Sequence, residues 1–265
     1  MPVRVHWSHI QCRHPESRTN IRLLTSSTER NPPVLSQVLV LEHDTELAEA
    51  VAPERRAGAI AASRAQVAEV PVRRLDETVV RRVAKGGHGL LVLDGVLSRR
   101  VSYGGRHAAE LLGPGDIWRP WQHDEEEVSV PFVFSWHAMT ALRVAILGPR
   151  WTLAMAPYPE VGAALTGRAV GRARHLAILM AIAQQPRLDE RLKLLFAELG
   201  DRFGRVDKRG VRIDVPLTHD MLSELAAARR PSVSAALSRL SSQGVLEREG
   251  RSWRVLAFPD AESAA

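Results

Sequence analysis

Two prolines, Pro159 and Pro186, bracket the longest unbroken helical signal in the chain. Between them Val161, Leu165, Ala169, Ala173, Leu176, Met180 and Ala183 recur at steps of three or four, which predicts one helix over about 159–185 with a single apolar stripe. Pro159 suits a helix start and Pro186 interrupts its end. Arg168, Arg172 and Arg174 fall on the opposite faces. A helix of about 25 residues runs roughly 38 Å, longer than a neighbouring sandwich needs for its own coverage. Its stripe either pairs with a second copy of the chain or packs back on the domain that precedes it.

On the N-terminal side the pattern is mainly short β. Val38–Leu41 is apolar and precedes an acidic, Ala-rich stretch, 44–69, that reads as helical. Residues 88–94 (HGLLVLD), 96–103 (VLSRRVSY), 108–112, 128–136 and 141–147 read as strands. Gly95, Gly104-Gly105, Gly113-Pro114-Gly115-Asp116 and Gly148-Pro149 punctuate them, a rhythm that indicates a sandwich or jelly roll. Residues 1–36 end in Asn31-Pro32-Pro33 and show no sustained apolar period, which predicts a flexible tail. His6, His9, Cys12 and His14 crowd together there, but nothing around them suggests the rigid surroundings a metal set requires.

On the C-terminal side a second helix is expected over 187–203, with Leu188, Leu192, Leu195 and Leu199 on one face. A short apolar run at 211–215 then leads to Thr218, a good N-cap, with Asp220 in the first turn where the helix dipole favours negative charge. That helix buries Leu222, Leu225 and Ala226. Pro231 suits the start of the next, whose Val233, Leu237 and Leu240 form a core face to about Ser242. Two short helices and a tight turn, followed by strands at 245–248 and 252–256, make a winged helix-turn-helix. With the second helix's core face turned in, Ser232, Ala235 and Arg239 lie outside, and Arg229 and Arg230 stand at its N-terminal end. Small side chains let a helix sink into a major groove, and guanidinium forks reach guanine or phosphate.

Charge enters at this point. Only Lys85, Lys193 and Lys208 among the 36 basic residues are lysine, the net charge is +6 and the isoelectric point is about 10.3. Arginine excess suits a nucleic-acid partner, yet genomic base composition inflates it equally. Local charge separates the two readings: residues 229–256 carry six Arg against Glu247 and Glu249, a net of +4. The single cysteine, Cys12, excludes an intrachain disulfide and an iron–sulfur cluster held by four thiolates of this chain. The longest apolar run, 176–183, is far short of the roughly 20 residues of a membrane span, and 1–15 lack an apolar leader core, so a cytoplasmic protein is expected.

Residues 217–246 (LTHDMLSELAAARRPSVSAALSRLSSQGVL) resemble the C-terminal motif of the Crp/Fnr family, bacterial regulators with a cyclic-nucleotide-binding-like β-roll, a long dimerisation helix and a winged helix-turn-helix. Residues 89–94, the Gly104-Gly105 hairpin and Leu112-Gly-Pro-Gly-Asp116 extend the likeness into the β segment, so that it covers 37–258. The fold it implies is α+β, with a jelly-roll β domain over 37–153, a dimerisation helix and connecting helix over 154–205, a DNA-binding domain over 206–258 and a tail over 259–265. It implies a homodimeric transcription regulator, not an enzyme, with duplex DNA carrying two-fold related half-sites and RNA polymerase as partners. Thr218, His219, Arg229, Arg230, Ser232, Ser234, Arg239 and Arg251 are the candidate DNA-binding residues.

The departures from the family also matter. Its Gly-Glu pair and its Arg-Ser or Arg-Thr pair, which hold a cyclic phosphate, are replaced by Ile117-Trp118-Arg119-Pro120-Trp121 and Pro131-Phe132-Val133-Phe134. A cyclic phosphate against Phe132 and Val133 would be an unpaired buried charge, so cyclic AMP is not expected and the effector is unassigned. Trp118, Arg119, Phe132, Phe134 and Trp136 are the candidate effector-pocket residues, or else part of a plain sandwich core. In the recognition helix Pro231 and Ala235 stand where relatives carry an acidic residue and an arginine, so no operator sequence carries over. Ala227 stands where a glycine often permits a left-handed turn, at a cost of roughly 1–2 kcal/mol for any other residue. The alternative function is a cupin-like metal-binding enzyme with a helical assembly module. His107 and Glu110 would seed its site, although no His-x-His partner completes a metal set, and no resident metal or cofactor is expected.

Overall fold

The computed structural model describes residues 36–72, 84–119, 130 and 132–258. The first half is a two-sheet β-roll. β1 (Ser36–Leu39), β2 (Arg64–Val70), β8 (Leu142–Leu147), β3 (Gly89–Asp94) and β6 (Ile117–Trp118) form one sheet in that order. β5 (Arg106–Leu112), β4 (Leu97–Tyr103) and β7 (Val133–Ala138) form the other. Leu90, Val92, Val144 and Ile146 meet Leu97, Leu112, Trp136 and Ala138 in the core between them. The other face of the larger sheet is covered too, by α1 (Val40–His43), α2 (Thr45–Glu49), α3 (Pro53–Ala62) and α4 (Pro149–Ala154). β3 is therefore buried on both faces, Leu90 and Val92 toward one core and Leu91 and Leu93 toward the other, which explains its unbroken apolar run.

The helical reading of 44–69 holds only to Ala62. Asp44 caps α2 by accepting from the Leu47 amide at 3.1 Å, and Pro53 opens α3. From Arg64 the burial alternates and the segment pairs antiparallel with β1 and β8. Its alanines had masked a period of two, and the strands that fix it are distant in sequence. Of the 128–136 strand, 128, 129 and 131 lie outside the described residues, and pairing begins at Val133. The 1–36 tail, apart from Ser36, and the 259–265 tail also lie outside them.

The long helix, α5 (Pro159–Ala183), has the expected bounds, but its stripe divides. Val161 and Leu165 pack into the core beneath the larger sheet, whereas Ala169, Ala173 and Met180 are exposed. Arg168 and Arg172 turn toward the β-roll rather than away from it. Arg168 grips Asp44 at 2.5 and 2.9 Å and Glu46 at 2.7 Å, and Arg172 grips Glu110 at 2.6 and 2.8 Å.

A third core joins α6 (Leu188–Phe203), α7 (His219–Leu225), α8 (Arg230–Ser242) and a four-stranded sheet ordered β11 (Leu246–Glu249), β12 (Ser252–Val255), β10 (Gly210–Ile213), β9 (Gly204–Asp207). Leu192, Leu195, Phe196, Leu222, Val233, Leu237, Leu240 and Trp253 are its centre. Val96, Leu111 and Met139 of the β-roll belong to the same cluster, so the helix-turn-helix is welded to the smaller sheet. Arg100 donates to Glu224 at 2.8 Å and Ser98 to the Met221 sulfur at 3.8 Å across that junction.

Candidate nucleic-acid interface

The helix-turn-helix is set from α7 outward. The Thr218 hydroxyl accepts from the Met221 amide at 3.2 Å, capping the helix, and Leu222 and Leu225 anchor it in the core. After Ala226 the chain turns through Ala227 at φ 49°, the one non-glycine residue with positive φ among the described residues. Arg191 of α6 holds this turn by donating to the Ala226 carbonyl at 2.9 Å. Arg229 is extended and Pro231 sits in the first turn of α8.

Val233, Ala236, Leu237 and Leu240 fill the buried side of α8. At about 100° per residue the positions opposite them are Pro231, Ala235, Ser238 and Ser242, all exposed. This face carries no charge. Ser238 donates to the Ser234 carbonyl at 3.1 Å and Ser242 to the Arg239 carbonyl at 2.8 Å. The arginines of α8 leave from its two flanks. Arg230 pairs with Asp220 of α7 at 2.9 Å, and Arg239 forms a two-pronged pair with Asp189 of α6 at 2.6 and 2.9 Å.

The other candidate DNA-binding residues separate into three positions. Ser234 is tied to His219 by a 2.8 Å hydrogen bond. Burial, then the charges of Arg248 and Arg230, hold that imidazole below its ordinary value. Ser232 is exposed near the start of α8. Arg229 at the start of α8 and Arg251 at the tip of the β11–β12 wing are exposed, with no carboxylate at ion-pair distance among the described residues.

Arg254, counted in the local +4, is not on this surface. It is 4% exposed and lies between Asp207 and Glu249, with contacts of 2.6 to 3.1 Å. The hydrogen bonds that it donates to those two carboxylates raise its affinity for the proton. Neither its inward direction nor the β9 partner that supplies Asp207 has a signature in the local sequence.

Of the five candidate effector-pocket residues, Trp118 and Arg119 border one cleft whose described lining does not include Phe132, Phe134 or Trp136. Trp118 and Trp136 stack within the β-roll core, ring centres 6.0 Å apart, while Phe132 lies outside against Tyr103 at 5.4 Å. Phe134 is half-buried on β7. Arg119 donates to the His88 carbonyl at 3.1 Å and borders a cleft of about 310 Å³ with His88, Ile117, Trp118, Thr166 and Arg172. The Trp118 indole N–H is buried without a hydrogen-bond partner among the described residues. The metal-site alternative loses its seed. His107 is exposed and bonded to Ser102 at 2.8 Å, while Glu110 is buried against Arg99 and Arg172. Among the described residues no three His, Cys, Asp or Glu side chains are grouped to hold a metal.

Residues 190–260 match the family model described as the Crp-like helix-turn-helix domain. The regulatory protein CysR of Synechococcus elongatus is 28% identical over 90 residues, which span 33% of this chain and 43% of that protein. Among solved structures, a cyclic nucleotide-binding domain containing protein from Listeria monocytogenes superposes with a TM-score of 0.58 at 13% identity, covering 80% of this chain and 96% of that one. FixK2 from Bradyrhizobium japonicum superposes at 0.54 with 18% identity, covering 74% and 99%. A CRP-family transcriptional regulator from Thermus thermophilus superposes at 0.52 with 20% identity, covering 72% and 92%. The chain has the Crp/FNR fold: β-roll, long helix and C-terminal helix-turn-helix. Within that fold its C-terminal region, residues 190–260, is similar to the Crp-like helix-turn-helix domain.

Proposed function

We propose that the protein is a homodimeric, sequence-specific DNA-binding transcription regulator of the cytoplasm, not an enzyme, whose β-roll responds to an effector other than cyclic AMP. The observation that carries this reading is α8 itself. It is a helix opened by Pro231 and backed by the core, presenting an uncharged face of small side chains, with Arg229 beside its start and Arg251 at the wing tip available for phosphate. The dimer follows from α5, where Val170, Ile178 and Met180 are 61%, 41% and 70% exposed beside Ala163, Gly167 and Ala177. Two copies across that face would place their recognition helices on half-sites about 34 Å apart. RNA polymerase is the further partner that a regulator of this build would meet on the promoter.

The cleft bordered by His88, Trp118, Arg119 and Thr166 lies between the β-roll and α5 and suits an effector. Its occupant would reach the DNA-binding domain by two paths, α5 and the direct packing of α7 on the smaller sheet through Arg100 and Glu224. Genome-wide mapping of bound DNA tests the proposal. Enriched fragments with paired, inverted half-sites about one helical turn apart are expected, and no enrichment under any growth condition would overturn it.

A further inference from the structure

We infer that α8 reads A·T base pairs, through thymine methyl contact at Ala235 and acceptance of an adenine amino hydrogen by Ser238, and makes no guanine contact from its central face. The inference rests on the DNA-binding reading above and specifies what that surface selects.

Guanine presents two acceptors in the major groove, O6 and N7, and requires a donor, most often an arginine fork. The central line Pro231, Ala235, Ser238 and Ser242 holds no such donor. Arg230 and Arg239 leave the helix on opposite flanks and are each engaged by a carboxylate, Asp220 and Asp189. In the unbound protein the hydroxyls on the central line donate inward, Ser238 and Ser242 to carbonyls of their own helix, which leaves their lone pairs facing out. An oxygen whose hydrogen is committed offers lone pairs outward, and lone pairs suit the amino group of adenine or cytosine.

Ala235 decides between those two bases. Its methyl group is exposed at the middle of the face, and apolar contact in the major groove belongs to the thymine methyl. An A·T pair supplies the amino donor and the methyl group together. A G·C pair supplies the amino donor alone and leaves the guanine acceptors desolvated without a partner, which is unfavourable.

The test is selection of bound duplexes from a random 30-bp library by the full-length protein, followed by replacement of each selected thymine, one at a time, by deoxyuridine. That replacement removes only the methyl group. A·T pairs are expected at the selected positions under α8. Loss of the methyl at one of them should weaken binding about fourfold, the effect of removing one buried methyl group. The Ala235→Gly protein should not distinguish thymine from uracil at that position. A selected guanine under α8, or indifference of the unaltered protein to every thymine-to-uracil change, overturns the inference while leaving DNA binding intact. Failure to select any duplex overturns the DNA-binding reading itself.

Discussion

Arg172 and Arg239 each grip one carboxylate with two nitrogens, Glu110 in the first case and Asp189 in the second, yet the two pairs do different work. The first is sealed between the β-roll and α5, and Glu110 is 3% exposed. Burial pushes the Glu110 carboxyl up, but the Arg172 hydrogen bond and the charges of Arg99, Arg172 and Arg202 outweigh it and hold the group below its ordinary value. Arg99 shares the site at 2.7 Å, its own proton affinity lowered chiefly by burial. The second pair is open to solvent on the flank of the recognition helix. A buried pair cannot lose one member without stranding the other, whereas an exposed pair can exchange its carboxylate for water or phosphate. Arginine in the first region is therefore architecture, and in the second it flanks the surface proposed to read DNA.

The sharpest way to break this contrast is Glu110→Ala. Two guanidinium groups would remain buried without a counter-charge, and a stability loss of about 3–5 kcal/mol is expected in urea denaturation. A loss under 1 kcal/mol would show that the junction is not held by charge. The same group sets a pH dependence. Because its folded value lies below the ordinary 4.5, its contribution is complete above about pH 4.5 and is lost as pH falls through the lowered value. Glu110→Gln should flatten that acid limb of stability.

The next effect is smaller and concerns the turn that aims the recognition helix. Ala227 holds φ 49°, so Ala227→Gly should stabilise the protein by about 0.5–1 kcal/mol, the relief of strain less the added freedom of the unfolded chain. Thermal unfolding would register it. The smallest effect belongs to the exposed flank. Arg230 and Asp220 are both more than half exposed, and Asp220→Asn should change stability by no more than about 0.5 kcal/mol. The same substitution should strengthen DNA binding, since a negative charge is removed from the approach to the phosphates. Weaker binding would show that Asp220 aims Arg230 at the DNA instead.

Much of the fold was legible because its signals are local. The bounds of α5 follow from Pro159 and its periodicity, the cap of α7 from Thr218, and the strained turn from an alanine at a glycine position. What was not legible depends on partners far along the chain. The strand at Arg64–Val70 is specified by β1 and β8 rather than by its own alanine-rich sequence. The inward turn of Arg168 and Arg172 requires Asp44 and Glu110, more than 60 residues away, and that of Arg254 requires Asp207. For the same reason the local +4 overstated the charge of the reading surface. Periodicity reports which side of a helix is apolar, not which of its cations meets a carboxylate.

On the proposed function, the exposed, unpaired arginines at the start of α8 and the wing tip engage DNA phosphates while the buried arginines do not. The most direct test is the affinity of the full-length protein for a genomic fragment it selects, measured by fluorescence anisotropy across a salt series. Log affinity should fall steeply with log salt, and replacing both Arg229 and Arg251 with alanine should weaken binding alike on selected and unselected DNA and make the slope shallower by about 1 per arginine. A flat salt dependence, or a double variant that binds as the unaltered protein does, would show that these two arginines do not engage phosphate.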